Sequence, residues 1–195
     1  MKRISFNNRY GLTDAVRTYQ KTMKRMRVRL PQGTDPDSLC PVKAIDDKGC
    51  VYYESGDIKL YPHYQPGEEV AVTGISNRIC ITSVKLEQLA DITDNDCRKE
   101  GVVPIKWKQW LKPQENTFKQ EYKIWDVWTL PKFREEISDD WGNESPECYM
   151  AASPKAAFYV LVRRLWGKKT WHSNPWVWVY EFVITSKKTT SKKKN

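Results

Sequence analysis

Tyr19-Gln20-Lys21-Thr22-Met23-Lys24-Arg25-Met26-Arg27-Val28-Arg29-Leu30 closes a short helical pattern and opens a strand. Upstream, Leu12, Val16 and Tyr19 recur at helical spacing, and Thr13 or Asp14 is the candidate cap. Downstream, Met26, Val28 and Leu30 alternate with Arg25, Arg27 and Arg29. A period of two places the apolar set on one strand face and the arginines on the other. Lys21 falls at the bend, where a side chain can enter a cleft instead of a core. Arg17, Lys21, Lys24, Arg25, Arg27 and Arg29 follow one another with no acid between them. Such a surface is either a solvated charged face or one that an anion neutralises.

The rest of the chain narrows that choice. Its net charge of +9 is unevenly placed. Residues 2–29 carry nine Lys or Arg against Asp14 alone, and residues 186–195 carry five lysines and no acid, so the body between is mildly acidic. A localised anion site with a basic, disordered tail at 186–195 fits this pattern, and a uniformly basic coat does not. No apolar run of about 18 residues occurs, so no transmembrane helix is expected. The start, Met1-Lys2-Arg3-Ile4-Ser5-Phe6, lacks the apolar stretch of a signal peptide, and the expected location is cytoplasmic. The cysteines, at 40, 50, 80, 97 and 148, form no C-x-x-C pair, which points to reduced structural thiols. No metal site and no cofactor motif is indicated. His63 and His172 have no evident partner and receive no role.

Taken in order, Ile4 and Phe6 mark a first short strand. Pro31-Gln32-Gly33-Thr34-Asp35-Pro36 is a loop. Val51-Tyr52-Tyr53 and Ile58-Lys59-Leu60-Tyr61 flank Glu54-Ser55-Gly56-Asp57 as a hairpin. Pro66-Gly67 turns into a strand at Val70-Ala71-Val72. Ile79, Ile81, Val84 and Leu86 supply another, with a bulge expected near Thr82-Ser83, where the alternation slips. Thr93 or Asp94 starts a short helix that Gly101 closes. Residues 103–148 hold five tryptophans among charges and read as an insertion. Ser153-Pro154 opens a helix with the apolar stripe Ala157, Phe158, Leu161, Val162 and Leu165, ended by Gly167. Trp176-Val177-Trp178-Val179-Tyr180-Glu181-Phe182-Val183-Ile184 is the strongest strand. Trp176 and Trp178 lie two apart on it and share a face, so at least one belongs to the core. The expected class is α+β, one domain over 1–185, as a small mixed or antiparallel barrel with peripheral helices.

In this order the motifs resemble the ASCH-domain family, which has a PUA-like β-barrel, and in particular its small bacterial and phage members. The matching stretches are Ile4-Ser5-Phe6-Asn7, the helix leading into Lys21-Thr22-Met23, Pro66-Gly67-Glu68, Ile92 to Gly101, and Asn174-Pro175-Trp176 to Phe182. The family motif G-x-K-x-x-x-x-R meets Tyr19, Lys21 and Met26 here, so its lysine is kept while its glycine and arginine are replaced. Some members hydrolyse acetylated cytidine with the motif lysine, a threonine three residues on and a glutamate from the short helix. The resemblance carries these roles to Lys21, to Lys24 in place of the threonine, and to Glu100. An ammonium at residue 24 binds phosphate or carboxylate and does not accept an acyl group. Thr22 is the nearest hydroxyl.

Three functions follow as expectations. The first is binding of RNA or a modified nucleotide in a basic cleft. Lys21, Lys24, Arg25 and Arg27 would hold phosphate, Glu100 would accept from a base amine or pair with Lys21, and Trp171 and Trp176 would stack on bases. The second is an amidohydrolase of an acetylated nucleoside such as N4-acetylcytidine, with Lys21 and Glu100 as its catalytic pair. The third is a protein-interaction module built on the Trp-rich insertion.

Overall fold

In a computed structural model of the chain, residues 1–110, 122–130 and 151–185 are described. Among them, ten strands and three α-helices follow one another in this order: β1 (Arg3–Ile4), α1 (Leu12–Arg17), β2 (Met23–Arg27), β3 (Val42–Ile45), β4 (Val51–Ser55), β5 (Ile58–Leu60), β6 (Glu69–Val72), β7 (Arg78–Gln88), α2 (Asp94–Lys99), β8 (Val103–Trp110), β9 (Tyr122–Thr129), α3 (Pro154–Trp166) and β10 (Trp176–Thr185). The class is mixed α+β, mostly strand.

The main sheet runs β1-β6-β7-β10-β2, with β1 parallel to β6 and every other pair antiparallel. β10 lies inside it, hydrogen-bonded to β7 on one side and to β2 on the other. A strand paired on both sides and covered on both faces needs apolar residues at nearly every position. Val177, Trp178, Val179, Tyr180 and Phe182 are accordingly all buried. Trp178 packs edge-on against Tyr53 in this core. The slip at Thr82-Ser83 is a true irregularity: Ser83 pairs with Glu181 and Ile81 with Phe182, which leaves Thr82 without a partner in the ladder. The ladder does not close on itself among the described residues, where the sequence led us to expect a barrel.

Two further sheets complete the described fold. The hairpin of β4 and β5 matches the sequence reading, and β3 adds an unexpected third strand. Inside the span read as an insertion, β8 and β9 pair antiparallel. The alternation Val103, Ile105, Trp107 against Pro104, Lys106, Lys108 was the available signal. Val103, Ile105 and Leu130 are buried, so the base of this hairpin belongs to the core and is no appendage. Residues 131–148, with Trp141 and Cys148, lie outside the described residues, as does the tail at 186–195. Among the described residues no helix is long and apolar enough to cross a membrane, and Cys40, Cys50, Cys80 and Cys97 are free thiols.

The entry into β2 is set by the end of α1. The Gln20 N–H donates to the Ala15 carbonyl and the Tyr19 N–H to the Val16 carbonyl. This pair of bonds is a Schellman closure, in which the residue after the cap adopts the left-handed conformation. Tyr19 does so, with φ 63°, and its side chain is exposed. The turn swings Lys21 back beneath the helix, where its N–H also reaches the Ala15 carbonyl. Left-handed backbone costs a side-chain-bearing residue roughly 1–2 kcal/mol, against roughly 0.5–1 kcal/mol of entropy lost by a glycine. Tyr19→Gly is therefore expected to gain up to about 1 kcal/mol and to raise the thermal midpoint by about 2–4 °C. Scanning calorimetry checks this, with Tyr19→Val expected to melt below the wild type.

Candidate functional site

Lys21 is 2% exposed although it carries a charge. Its ammonium donates to the Glu100 carboxylate at 2.5 Å and to the Glu100 carbonyl at 2.7 Å. Two local features bring residues 79 positions apart into this contact. The Schellman turn delivers Lys21 from one side. From the other, α2 begins at a complete capping box, Thr93 with Asp96, and ends at Glu100. Gly101 then takes φ 101°, and a Cβ there would stand 3.6 Å from Lys21 Cβ and 3.5 Å from Leu12 Cδ2. A bond from the Thr22 N–H to the Lys99 carbonyl, 2.9 Å, ties the end of α2 to the start of β2.

Arg25 forms the next layer. Its guanidinium meets Glu87 at 2.6 Å and both Asp96 and Glu100 at 3.3 Å. Burial alone would lower its pKa, but the carboxylates of Glu100, Glu87 and Asp96 hold it above the ordinary value. Burial opposes ionisation of Asp96 too, yet bonds from Thr93 and the Arg25 charge keep it below the usual carboxylate range. The expectation that Arg25 faces phosphate is thus corrected: the side chain is buried and spent on three carboxylates. Elsewhere the alternation holds: Met26, Val28 and Leu30 pack, partly buried, against the core, and Arg27 and Arg29 are exposed.

Lys24 behaves differently. It forms no salt bridge among the described residues. Its ammonium donates to the Ser5 carbonyl and lies 4.9 Å from the centre of the Phe6 ring. Burial, and then the neighbouring charge of Lys21, push its pKa down to about 8. Burial likewise lowers Lys21, against the opposing pull of Glu100.

These groups open into one cavity of about 520 Å³. Ser5, Asn7, Asn8, Lys21, Lys24, Arg25 and Glu100 supply its polar part, and Phe158, Leu161, Val162, Leu165 and Trp166 of α3 supply an apolar wall. The sequence reading brought Lys21, Lys24 and Glu100 together but took the α3 stripe for core alone. A stripe wider than a core needs was the missed signal, since Leu165 and Trp166 continue it past Val162. Other expected members lie elsewhere. Trp171 packs edge-on against Tyr159, and the Trp176 indole N–H donates to the Pro36 carbonyl. Neither they nor Thr22 line the cavity. Arg27 lies further along β2, in separate hollows. No group of three or more His, Cys, Asp or Glu among the described residues has the geometry to hold a metal ion.

Compared with protein-family models, with curated proteins and with solved structures, the chain matches none.

The ion pairs predict an asymmetry in stability. Glu100→Ala strands the buried Lys21 ammonium with one carbonyl, a loss of about 3–5 kcal/mol. Lys21→Met leaves Glu100 still facing Arg25 at 3.3 Å and is expected to cost less. Urea denaturation of the two variants checks the order; equal losses overturn it.

Proposed function

We propose that this cavity binds a nucleotide, free or as one unit of RNA, within the PUA-like arrangement that the ASCH resemblance implies. The observation that carries the proposal is the division of charge in the cavity. Arg25 is matched by carboxylates and Lys21 is matched by Glu100, which leaves Lys24, among the described lining residues, as the cation available to an anion. A flat ring fits against Phe158, Leu161 and Trp166. Glu100 can accept from an exocyclic amine, the pairing that a carboxylate makes with cytosine. A phosphate then meets Lys24. The volume, about 520 Å³, falls in the range of small-molecule sites.

Lys24 gives the binding a pH dependence of known sign. The charged form attracts phosphate, and it is depleted as pH rises through about 8. Affinity for a 5′-monophosphate is expected to hold from neutrality to about pH 8 and then to fall roughly tenfold, the worth of one charged hydrogen bond. Lys24→Met should bind about tenfold more weakly near neutrality and show no such fall. Titration calorimetry across this range checks both. A wild type whose affinity ignores pH, or a variant that follows it equally, overturns the assignment.

A second reading rests on the 2.5 Å contact of Lys21 with Glu100 at a cavity wall. Such a pair can move protons in amide hydrolysis. Glu100 takes a proton from water as its oxygen adds to an acetyl carbon, and the Lys21 ammonium gives one to the departing amine. The C–N bond breaks to give the free base amine and acetic acid, which loses its remaining proton to solvent as acetate, and Glu100 returns its proton to Lys21. Acetate released from N4-acetylcytidine by the wild type but not by Lys21→Met is the expected result. No release by the wild type ends this reading and leaves the binding reading intact.

A further inference from the structure

β2 is the last strand of its ladder, so one side of it is unpaired among the described residues. Along that side runs a hollow of about 580 Å³, lined by the consecutive residues 24–29 together with Trp166. It shares Lys24, Arg25 and Trp166 with the Lys21 cavity. It also shares residues 26–29 with another hollow of about 580 Å³, where Arg27, Arg29, Lys59, Tyr61, His63 and Trp178 stand. The linings of the three spaces therefore overlap in series along the edge of one strand. Lys24 to Arg29 spans roughly 16 Å at about 3.3 Å per residue, more than a mononucleotide fills.

The chemistry of this track is uniform. Among the described residues, no Asp or Glu lines either hollow beyond the cavity. Arg27 and Arg29 are exposed and form no salt bridge among the described residues. Tyr61 is 51% exposed, and its ring stacks on Tyr52 at 5.3 Å with an interplanar angle of 23°. Lys59 lies over the same Tyr52 ring at 5.3 Å. Tyr61 is thus a braced aromatic face at the far end of a line of unmatched cations. Positive charges that follow a backbone, with aromatic rings for bases, are what sequence-tolerant binding of a single strand uses. A lipid surface is flat and would not enter hollows set along a strand edge.

We infer that the ligand is a single-stranded nucleic acid that crosses the edge of β2, with one nucleotide in the Lys21 cavity, its phosphates on Arg27 and Arg29, and a further base on Tyr61. This rests on the nucleotide reading of the cavity and names its substrate class as a polymer. The same phosphate chemistry is offered by RNA and by DNA.

Fluorescence anisotropy with labelled oligonucleotides of about eight units, within the roughly 4–16 typical of such sites, tests the track. RNA and DNA of one sequence are compared with a 5′-monophosphate competitor across salt concentrations. Wild type, Arg27→Ala/Arg29→Ala and Tyr61→Ala are measured, with circular dichroism as the check on folding. The oligomer is expected to bind at least about tenfold tighter than the monophosphate, through stacking and phosphate neutralisation beyond the cavity. Its salt slope should fall by about 1.4 in the double variant, roughly 0.7 for each phosphate no longer neutralised, while monophosphate affinity stays unchanged. Tyr61→Ala should weaken oligomer binding with little change in slope. Preference for RNA over DNA, or none, supports the track equally. A double variant that holds the oligomer as the wild type does, with the monophosphate still bound, overturns the track and spares the cavity. Displacement of the oligomer by polyglutamate at equal charge overturns the nucleic-acid assignment. If neither ligand binds the wild type, the nucleotide reading fails and the track falls with it.

Discussion

A lysine ammonium with almost no access to water is tolerable only beside a counter-charge, and in this protein the counter-charge is supplied by a residue 79 positions later. The pairing of Lys21 with Glu100 therefore constrains everything around it. α2 has to end where it does, α1 has to turn where it does, and β2 has to start immediately after the turn. Arg25, two residues into that strand, closes the same acidic cluster from the strand side. That cluster of three carboxylates engages two cations, Lys21 and Arg25, so the excess positive charge of the amino-terminal segment is smaller in space than it is in sequence. Of the cations from Lys21 to Arg29, those without a salt bridge among the described residues, Lys24, Arg27 and Arg29, line one hollow at the strand edge.

The backbone prepares this arrangement at two places where ordinary side chains are poorly suited. Tyr19 holds a left-handed turn that a glycine would hold with less strain, and Gly101 lets the end of α2 approach Lys21 and Leu12 to van der Waals distance. One position has the small residue and the other does not. The Tyr19 side chain points to solvent, so the strain there is local to the backbone and does not crowd the cavity.

Legibility in the sequence followed the range of the interaction. Features fixed by neighbours along the chain were readable: the cap at Thr93, the cap at Ser153, the hairpin of β4 and β5, and the slip in β7. The meeting of Lys21, Lys24 and Glu100 was foreseen through a resemblance of motif order, because spacing alone does not bring a turn lysine to a helix end. Arg25 was misjudged, since an arginine in a basic run gives no sign that three acids from β7 and α2 await it. The α3 wall and the β8–β9 hairpin were missed for a related reason. An apolar stripe reads alike whether it faces a packed core or an open hollow, and tryptophans among charges masked an ordinary alternation. A closed barrel was expected and an open ladder is what the described strands form.

The position of β10 has a consequence for how the molecule comes into being on the ribosome. The strand that lies between β7 and β2 in the main sheet is later in the chain than both of them. Until it emerges, those two strands have nothing to pair with on the sides they will share with it, and Tyr180 and Phe182 are missing from the core. A nascent chain halted before residue 176 holds the amino acids of the Lys21–Glu100 pair but no complete sheet to support them. Such a fragment exposes unpaired strand sides, the kind of surface that chaperones and proteases engage, so premature termination yields a substrate for degradation and not a smaller working protein.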